Sequence, residues 1–103
     1  MPTNKNAFVR YMIIDRCLRG ATRRQHPVTK AELKAEILEQ RQMRVSDSTI
    51  EKDLYNLRHD SDIRLFLPIV SKVRSSDSLR GYVYTDPEFN ICQAIEKAYY
   101  AGG

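Results

Sequence analysis

Residues 45–58 constrain the fold of this chain more than any other segment. Apolar residues recur there at Ile50, Leu54 and Leu57, a helical spacing that places them on one inward-facing side. Ser46 precedes this pattern and is a typical N-terminal helix cap. The pattern therefore predicts a short, capped helix with a separate outward side. That outward side carries Ser48, Lys52, Tyr55 and His59, flanked by Thr49 and Asn56.

A second helix is predicted directly before this one. Val28 and the spacing Thr29-x-x-Glu32 are typical of a hydrophobic staple and a capping box, so the helix should start near Lys30. A turn over residues 42–45 then leads to Ser46. The residues expected on the buried side of this helix are Leu33, Ile37 and Leu38.

The first helix is predicted from Asn6 to Arg19, closed by Gly20, because glycine commonly follows the last helical turn. Two apolar faces on one helix exceed what a single packing partner requires, so we expect the second face to meet the C-terminal segment or another subunit. The first face comprises Ala7, Tyr11, Ile14 and Leu18, and the second comprises Val9, Ile13 and Cys17.

A β-hairpin should follow the three helices. Pro68 fits the entry to a strand over 69–74, residues 75–81 are turn-like, and residues 82–85 form a second strand. A final helix is indicated from Asn90 to Tyr100. This order of elements predicts a mainly α fold with a small β-hairpin. It is typical of a winged helix-turn-helix, with a three-helix core, a wing and a short C-terminal helix.

The predicted DNA-binding domain spans residues 1–89. Residues 90–103 would be a C-terminal helical extension or the start of a linker. In a winged helix-turn-helix, the second helix of the pair enters the DNA major groove while the wing lies alongside. Asn56 could then pair with adenine and Lys52 with guanine, while Thr49 is better placed for a phosphate oxygen. Asp47 and Glu51 would place negative charge near those phosphates.

The same docking on DNA predicts contacts for the remaining residues of the site. Thr29 and Lys30, which open the second helix, would contact the DNA backbone. The wing would reach the neighbouring minor groove or backbone through Lys72, Arg74 and Arg80. The predicted recognition residues of the third helix are Ser48, Thr49, Lys52, Tyr55 and Asn56.

The charge distribution favours a polyanionic partner. The chain has 103 residues and a net charge of +4, and its 42% hydrophobic and 29% charged residues are typical of one soluble domain. Residues 1–30 carry seven Lys and Arg against a single acid, Asp15, whereas residues 31–60 are net acidic. No apolar run approaches the length of a membrane span, and no signal-peptide core is present. We therefore expect a cytoplasmic protein without membrane association.

The sequence lacks enzyme signatures. It contains no Gly-rich phosphate loop, no G-x-S-x-G and no H-E-x-x-H. His26 and His59 are isolated and are expected to be ordinary surface residues. Cys17 and Cys92 have apolar neighbours at helical spacing and are expected to be reduced, packed thiols; a disulfide or a metal site is the alternative. The sequence predicts no catalysis, no cofactor and no metal.

Three stretches of the sequence carry a resemblance to a known family. They are Arg10-Tyr11-x-Ile13-Ile14-Asp15-x-Cys17-Leu18, Val45-Ser46-x-x-Thr49-Ile50-x-Lys52-Asp53-Leu54-x-x-Leu57-Arg58, and Pro68-Ile69 with Gly81-Tyr82-x-Tyr84-x-Asp86-Pro87-x-Phe89-x-Ile91. In these stretches the sequence looks like the N-terminal winged-helix domain of bacterial WYL-domain transcriptional regulators, which are similar in this part to DeoR-type repressors. The resemblance implies that Thr49 touches backbone phosphate, that Lys52 lies at the groove, and that an effector would bind a sensor domain absent from this chain.

The sequence thus favours sequence-specific binding of double-stranded DNA, as the reading domain of a bacterial transcriptional regulator. A homodimer is compatible with this function, because paired half-sites are common among helix-turn-helix proteins. The main alternative is a winged helix used for protein association without DNA, through the second face of the first helix and Tyr99-Tyr100. An RNA-binding winged helix is a third alternative, but the exposed aromatic platform typical of single-strand binding is missing.

Overall fold

The computed structural model describes residues 5–59, 66–73 and 80–97. Over these ranges the chain is mainly helical with a small antiparallel two-stranded sheet, which confirms the predicted balance of elements. No helix in these ranges is long and apolar enough to cross a membrane. The elements in chain order are α1 (Lys5–Arg24), α2 (Lys30–Arg41), α3 (Asp47–His59), β1 (Ile69–Val73), β2 (Arg80–Tyr84) and α4 (Ile91–Glu96).

Helix α1 is longer than predicted. The expected end at Gly20 is wrong, because Gly20 lacks the positive φ of a glycine cap and the helix continues to Arg24. The left-handed residue that ends α1 is Gln25, with φ 53°, and the His26 N–H donates to the carbonyl of Ala21 at 3.0 Å. A glycine inside a helix costs only about 0.5–1 kcal/mol relative to alanine, and Leu18 and Ala21 on either side of Gly20 are fully buried.

Helix α2 begins where its local signals predict. Thr29 is the N-cap: its hydroxyl oxygen accepts from the Glu32 N–H at 3.2 Å, while a Glu32 carboxylate oxygen accepts from the Thr29 N–H at 2.9 Å. Leu33 and Ile37 are fully buried, as predicted. Leu38 was expected beside them but is 41% exposed, because it lies about 100° further around the helix than Ile37.

Helix α3 also matches its predicted start and buried side. Ser46 Oγ accepts from the Thr49 N–H at 3.1 Å, which confirms the predicted cap. Ile50, Leu54 and Leu57 are buried in the core, as the spacing indicated. The core is shared by all the helices and the hairpin. Its buried members are Ala7, Tyr11, Ile13, Ile14, Leu18, Leu33, Ile37, Ile50, Leu54, Leu57, Leu67, Ile69, Tyr84 and Ile91.

A partly buried ion pair joins α1 to α3. Arg10 Nε donates to Asp53 Oδ2 at 2.6 Å, and Arg10 Nη2 donates to Asp53 Oδ1 at 3.0 Å. This two-point geometry fixes the guanidinium plane, and the hydrogen bond to Asp53 raises the pKa of Arg10. Asp53 points inward from α3 and is only 2% exposed. The pair therefore joins the inward side of α3 to α1, beside the apolar contacts of Ile50, Leu54 and Leu57.

The hairpin is antiparallel, with a register running from Ile69 opposite Tyr84 to Val73 opposite Arg80. Strand β2 begins at Arg80, inside the segment that was predicted to be turn; the rest of that turn, and Arg74, lie outside the described residues. Arg80 pairs with Val73 in the ladder, so the strand starts two residues earlier than the predicted start at Tyr82.

The base of the hairpin is docked onto the loop that precedes α2. Val28 and Tyr82 exchange backbone hydrogen bonds at 3.1 and 2.8 Å. Gly81 is buried there, and a Cβ added at Gly81 would lie 2.5 Å from the Pro27 Cβ and 2.7 Å from the Pro27 carbonyl carbon. Only a residue without a side chain allows the strand to approach this closely.

The last described helix is tied to α1 by a buried carboxylate. Asp15 is 1% exposed, and its Oδ1 accepts from the Tyr84 hydroxyl at 2.6 Å and from the Ile91 N–H at 3.1 Å. Arg19 Nε lies 2.9 Å from Asp15 Oδ2. Burial, reinforced by the Asp15 charge, holds the pKa of Tyr84 well above its usual value. Asp15 therefore connects α1, β2 and the start of α4 at one point.

Helix α4 starts as predicted and joins the same core. Asn90 caps it, because the Asn90 side-chain oxygen accepts from the Gln93 N–H at 2.9 Å. Ile91 is fully buried. The predicted continuation to Tyr100 lies partly beyond residue 97 and so outside the described residues.

Candidate nucleic-acid interface

The outward side of α3 is composed as the sequence indicated. Ser48, Lys52, Tyr55 and His59 are all exposed, and Tyr55 is 63% exposed, an unusual value for a large aromatic residue. The Tyr55 and His59 rings lie with their centroids 4.9 Å apart. This side therefore offers an ammonium group, a hydroxyl group and a paired aromatic surface to solvent. The two flanking residues, Thr49 and Asn56, are half-buried.

Three hydroxyl groups cluster at the first turn of α3. Ser46 Oγ lies 3.0 Å from Ser48 Oγ and 3.0 Å from Thr49 Oγ1. Hydroxyls both donate and accept, so this cluster satisfies its own members and can still offer donors outward. Its place beside the positive end of the helix dipole is compatible with a nearby anion.

Two ion pairs join this first turn and the next to α2. Lys34 Nζ donates to Asp47 Oδ1 at 2.6 Å, and Lys30 pairs with Glu51. The hydrogen bond from Lys34 lowers the pKa of Asp47, and the bond to Glu51 raises the pKa of Lys30. The acidic charge that the sequence places near the proposed phosphates is thus neutralised by lysines of α2.

Lys34 is a residue that the sequence reasoning missed. The signal was present, because Lys30 and Lys34 are four residues apart on one helix and Asp47 and Glu51 are four residues apart on the other. Residues at this spacing lie on the same face of a helix, so two facing helices can form two matched pairs.

The predicted backbone contacts at the start of α2 have different surroundings. Thr29 is 9% exposed, and its hydroxyl oxygen belongs to the capping box, a structural role that accounts for this residue without a phosphate. The Lys30 side chain is 33% exposed and carries its pair with Glu51 at the surface. Lys30 therefore remains available to solvent.

Two of the three predicted hairpin residues lie within the described ranges. Lys72 is exposed on β1, opposite Gly81. Arg80 is exposed on β2, and its Nη1 donates to Ser71 Oγ at 3.3 Å. Arg74 lies outside the described residues.

These elements are linked by a chain of contacts. Tyr82 of the hairpin binds Val28 through the backbone, Lys30 follows two residues later, and Lys30 contacts Glu51 of α3. The structure therefore brings the predicted residues of α2 and α3 together, with the base of the hairpin beside them. Cationic and hydroxyl groups dominate the chemistry of these residues, which suits recognition of an anion with hydrogen-bonding edges.

The cysteines and histidines do not cluster with one another in the described ranges. Cys17 is half-buried, and burial raises the pKa of its thiol to about 11. Cys92 is exposed, so the prediction that it is packed is wrong; both cysteines are free. His26 and His59 are exposed, as predicted. Within the described ranges, no group of three or more His, Cys, Asp or Glu could hold a metal ion.

A second surface lies on α1. The second apolar face predicted on this helix packs largely against the core, since Ile13 is buried and Val9 and Cys17 are half-buried. The exposed apolar residues of α1 are Phe8 and Met12, each 38% exposed. Together with Val9 and Ile13 they line a shallow groove of about 330 Å³, whose polar lining is Arg16, Gln40 and Arg41.

Comparison with known proteins finds no matching family model, no similar curated protein and no similar solved structure. The candidate interface is therefore defined by the contacts, exposure and charge of its own residues. The α3 surface and the α1 groove differ clearly in these respects, because one is polar and cationic while the other has an apolar floor.

Proposed function

We propose that this chain is a winged helix-turn-helix that binds double-stranded DNA in a sequence-specific way, as the reading domain of a bacterial transcriptional regulator. The observation that carries the proposal is the outward side of α3, where Lys52 is exposed next to Glu51, the partner of Lys30 at the start of α2. In this proposal α3 lies in the major groove and the hairpin is the wing.

Lys52 and Asn56 would read bases. Lys52 makes no ion pair within the described part of the chain, so its ammonium group is available to guanine O6 and N7. Asn56, half-buried at the flank, would reach adenine, and Thr49 would donate to a phosphate from the first turn. Tyr55 offers an apolar ring that could contact a thymine methyl group.

Lys72 and Arg80 would contact the backbone beside the groove. Both are exposed on the hairpin, whose base is fixed to the loop before α2. Contacts to phosphate carry no sequence information, but they supply affinity and set the register of α3 in the groove.

A salt titration tests DNA binding. Fluorescence anisotropy with a labelled duplex of random sequence should show log affinity falling linearly with log salt, by roughly 0.9 for each phosphate contact. A response that is flat in salt, or absence of binding at low salt, refutes the proposal. Selection of bound duplexes from a random pool should then enrich one sequence, and an enriched palindrome would establish a dimeric arrangement as well.

The variant Lys52→Ala tests the reading role of α3. Binding to the selected duplex should weaken by about 1–3 kcal/mol, because one bidentate base contact is lost. Lys97→Ala is the matched control, since Lys97 is also an exposed lysine but lies at the end of α4. Equal affinities for Lys52→Ala and Lys97→Ala would remove Lys52 from the interface.

Protein association through α1 is the second candidate function. The exposed Phe8 and Met12 favour it, because adjacent exposed apolar side chains are typical of contact surfaces. It predicts a stable dimer by sedimentation without duplex binding. The variant Met12→Glu should then dissociate the dimer, whereas under the proposed DNA-binding function it should leave duplex binding by α3 intact.

A further inference from the structure

Two lysine–carboxylate pairs line the edge of the α3 surface. Lys34 pairs with Asp47 and Lys30 pairs with Glu51, so each lysine of α2 has one partner on α3. All of these side chains are in contact with solvent: the lysines are 36% and 33% exposed, and the carboxylates are 65% and 55% exposed.

Such pairs exchange partners easily. An ion pair between exposed groups contributes little to stability, because solvent screens the attraction and two long side chains lose freedom. A phosphate oxygen is a charged acceptor like a carboxylate oxygen, and either can accept from an ammonium group. Little therefore opposes replacement of Asp47 or Glu51 by a phosphate that approaches Lys34 or Lys30.

The position of the pairs matches the proposed docking of α3. Glu51 immediately precedes Lys52 and Asp47 lies in the first turn, so both acids are next to the groups that would enter the groove. Lys30 and Lys34 are about 6 Å apart along α2, so the two ammonium groups address separate phosphates.

We propose that Lys30 and Lys34 form a phosphodiester-binding pair, and that DNA phosphates replace Glu51 and Asp47 as their partners when the duplex binds. This inference rests on the proposed function. The two carboxylates compete with phosphate at every sequence alike, so they lower affinity for all duplexes by the same factor. The ratio of affinities between sequences is therefore unchanged, and the effect of the carboxylates is to weaken binding to duplexes that lack the base contacts of α3 along with all others.

Two double variants test the exchange, with a matched control. Asp47→Asn with Glu51→Gln removes the competing carboxylates, and affinity for a random duplex should rise about five- to twentyfold with little change in salt slope. Glu39→Gln with Glu96→Gln changes the net charge equally at exposed acids of α2 and α4, and should raise affinity much less. Lys30→Gln with Lys34→Gln should reduce the salt slope by about 1.8.

The outcomes separate this inference from the proposed function. If the wild-type chain binds no duplex, both fail. If it binds with a steep salt dependence, but Asp47→Asn with Glu51→Gln matches the control or the lysine variant keeps the full slope, the exchange alone is refuted. Circular dichroism of each variant checks that the helices remain formed, so that a loss of slope is not a loss of structure.

Discussion

Gly81→Ala should destabilise the chain, whereas Gly20→Ala should stabilise it. The Cβ introduced at Gly81 would lie 2.5 to 2.8 Å from the Pro27 side chain and backbone, which cannot withdraw without disturbing the Val28–Tyr82 pairing. Forcing extra atoms into such a contact typically costs about 1–3 kcal/mol. The Cβ at Gly20 would meet only the end of the exposed Arg24 side chain, at 3.3 Å. Alanine in a helix interior should then gain about 0.5–1 kcal/mol.

Urea denaturation followed by circular dichroism measures both effects. With an unchanged m-value, the midpoint should fall for Gly81→Ala and rise for Gly20→Ala. A thermal melt should agree, with a shift of about 4–8 °C for each kcal/mol in a domain of this size. If Gly81→Ala is as stable as the wild type, the hairpin is not docked on Pro27. If Gly20→Ala is destabilised, α1 ends at Gly20 and the continuous helix is refuted.

Three further predictions concern buried and exposed side chains. Asp15→Ala should cost about 3–5 kcal/mol in urea, because the Tyr84 hydroxyl and the Ile91 N–H lose their acceptor; Asp15→Asn should cost only about 1–2 kcal/mol, since an acceptor oxygen remains. Folding raises the pKa of Tyr84, so stability should be fully present below pH about 10 and decline above it. Tyr84→Phe should flatten this alkaline decline, while Tyr55→Phe, at an exposed tyrosine, should not. Identical pH profiles of stability for the two variants would show that Tyr84 does not cause the decline. At pH 8, iodoacetamide should modify the exposed Cys92 faster than Cys17, whose thiol pKa of about 11 leaves little thiolate. Mass spectrometry measures the two rates, and equal rates in the folded protein would refute the burial of Cys17.

Local signals predicted the starts of the helices well. Thr29 with Glu32, and Ser46 with Thr49, are complete within four residues, so both caps can be recognised without knowledge of distant contacts. The predicted end of α1 is wrong for the opposite reason, since glycine alone does not fix where a helix stops. Gly20 can adopt a left-handed conformation but is not obliged to, and α1 continues past it to Arg24.

Contacts between distant residues could not be predicted from the sequence. Arg10 and Asp53 are 43 residues apart, and Asp15 and Tyr84 are 69 residues apart, so each pairing depends on the packed fold. Among the proposed site residues, periodicity correctly placed Lys52 and Tyr55 on the outward side of α3. It could not show that Lys30 already has a carboxylate partner, since that requires the placement of α2 against α3.

The buried carboxylate of Asp15 has a consequence for synthesis. Its two hydrogen-bond donors come from residues 69 and 76 positions later, Tyr84 and Ile91. At roughly 5–20 residues per second, a ribosome adds the last of them about 4–15 s after Asp15. Until then the Asp15 carboxylate lacks at least one of these two donors, and water must supply the missing hydrogen bonds beside Arg19. Completion of this part of the core therefore has to wait until Ile91 is translated, when α1 can be joined to the start of α4.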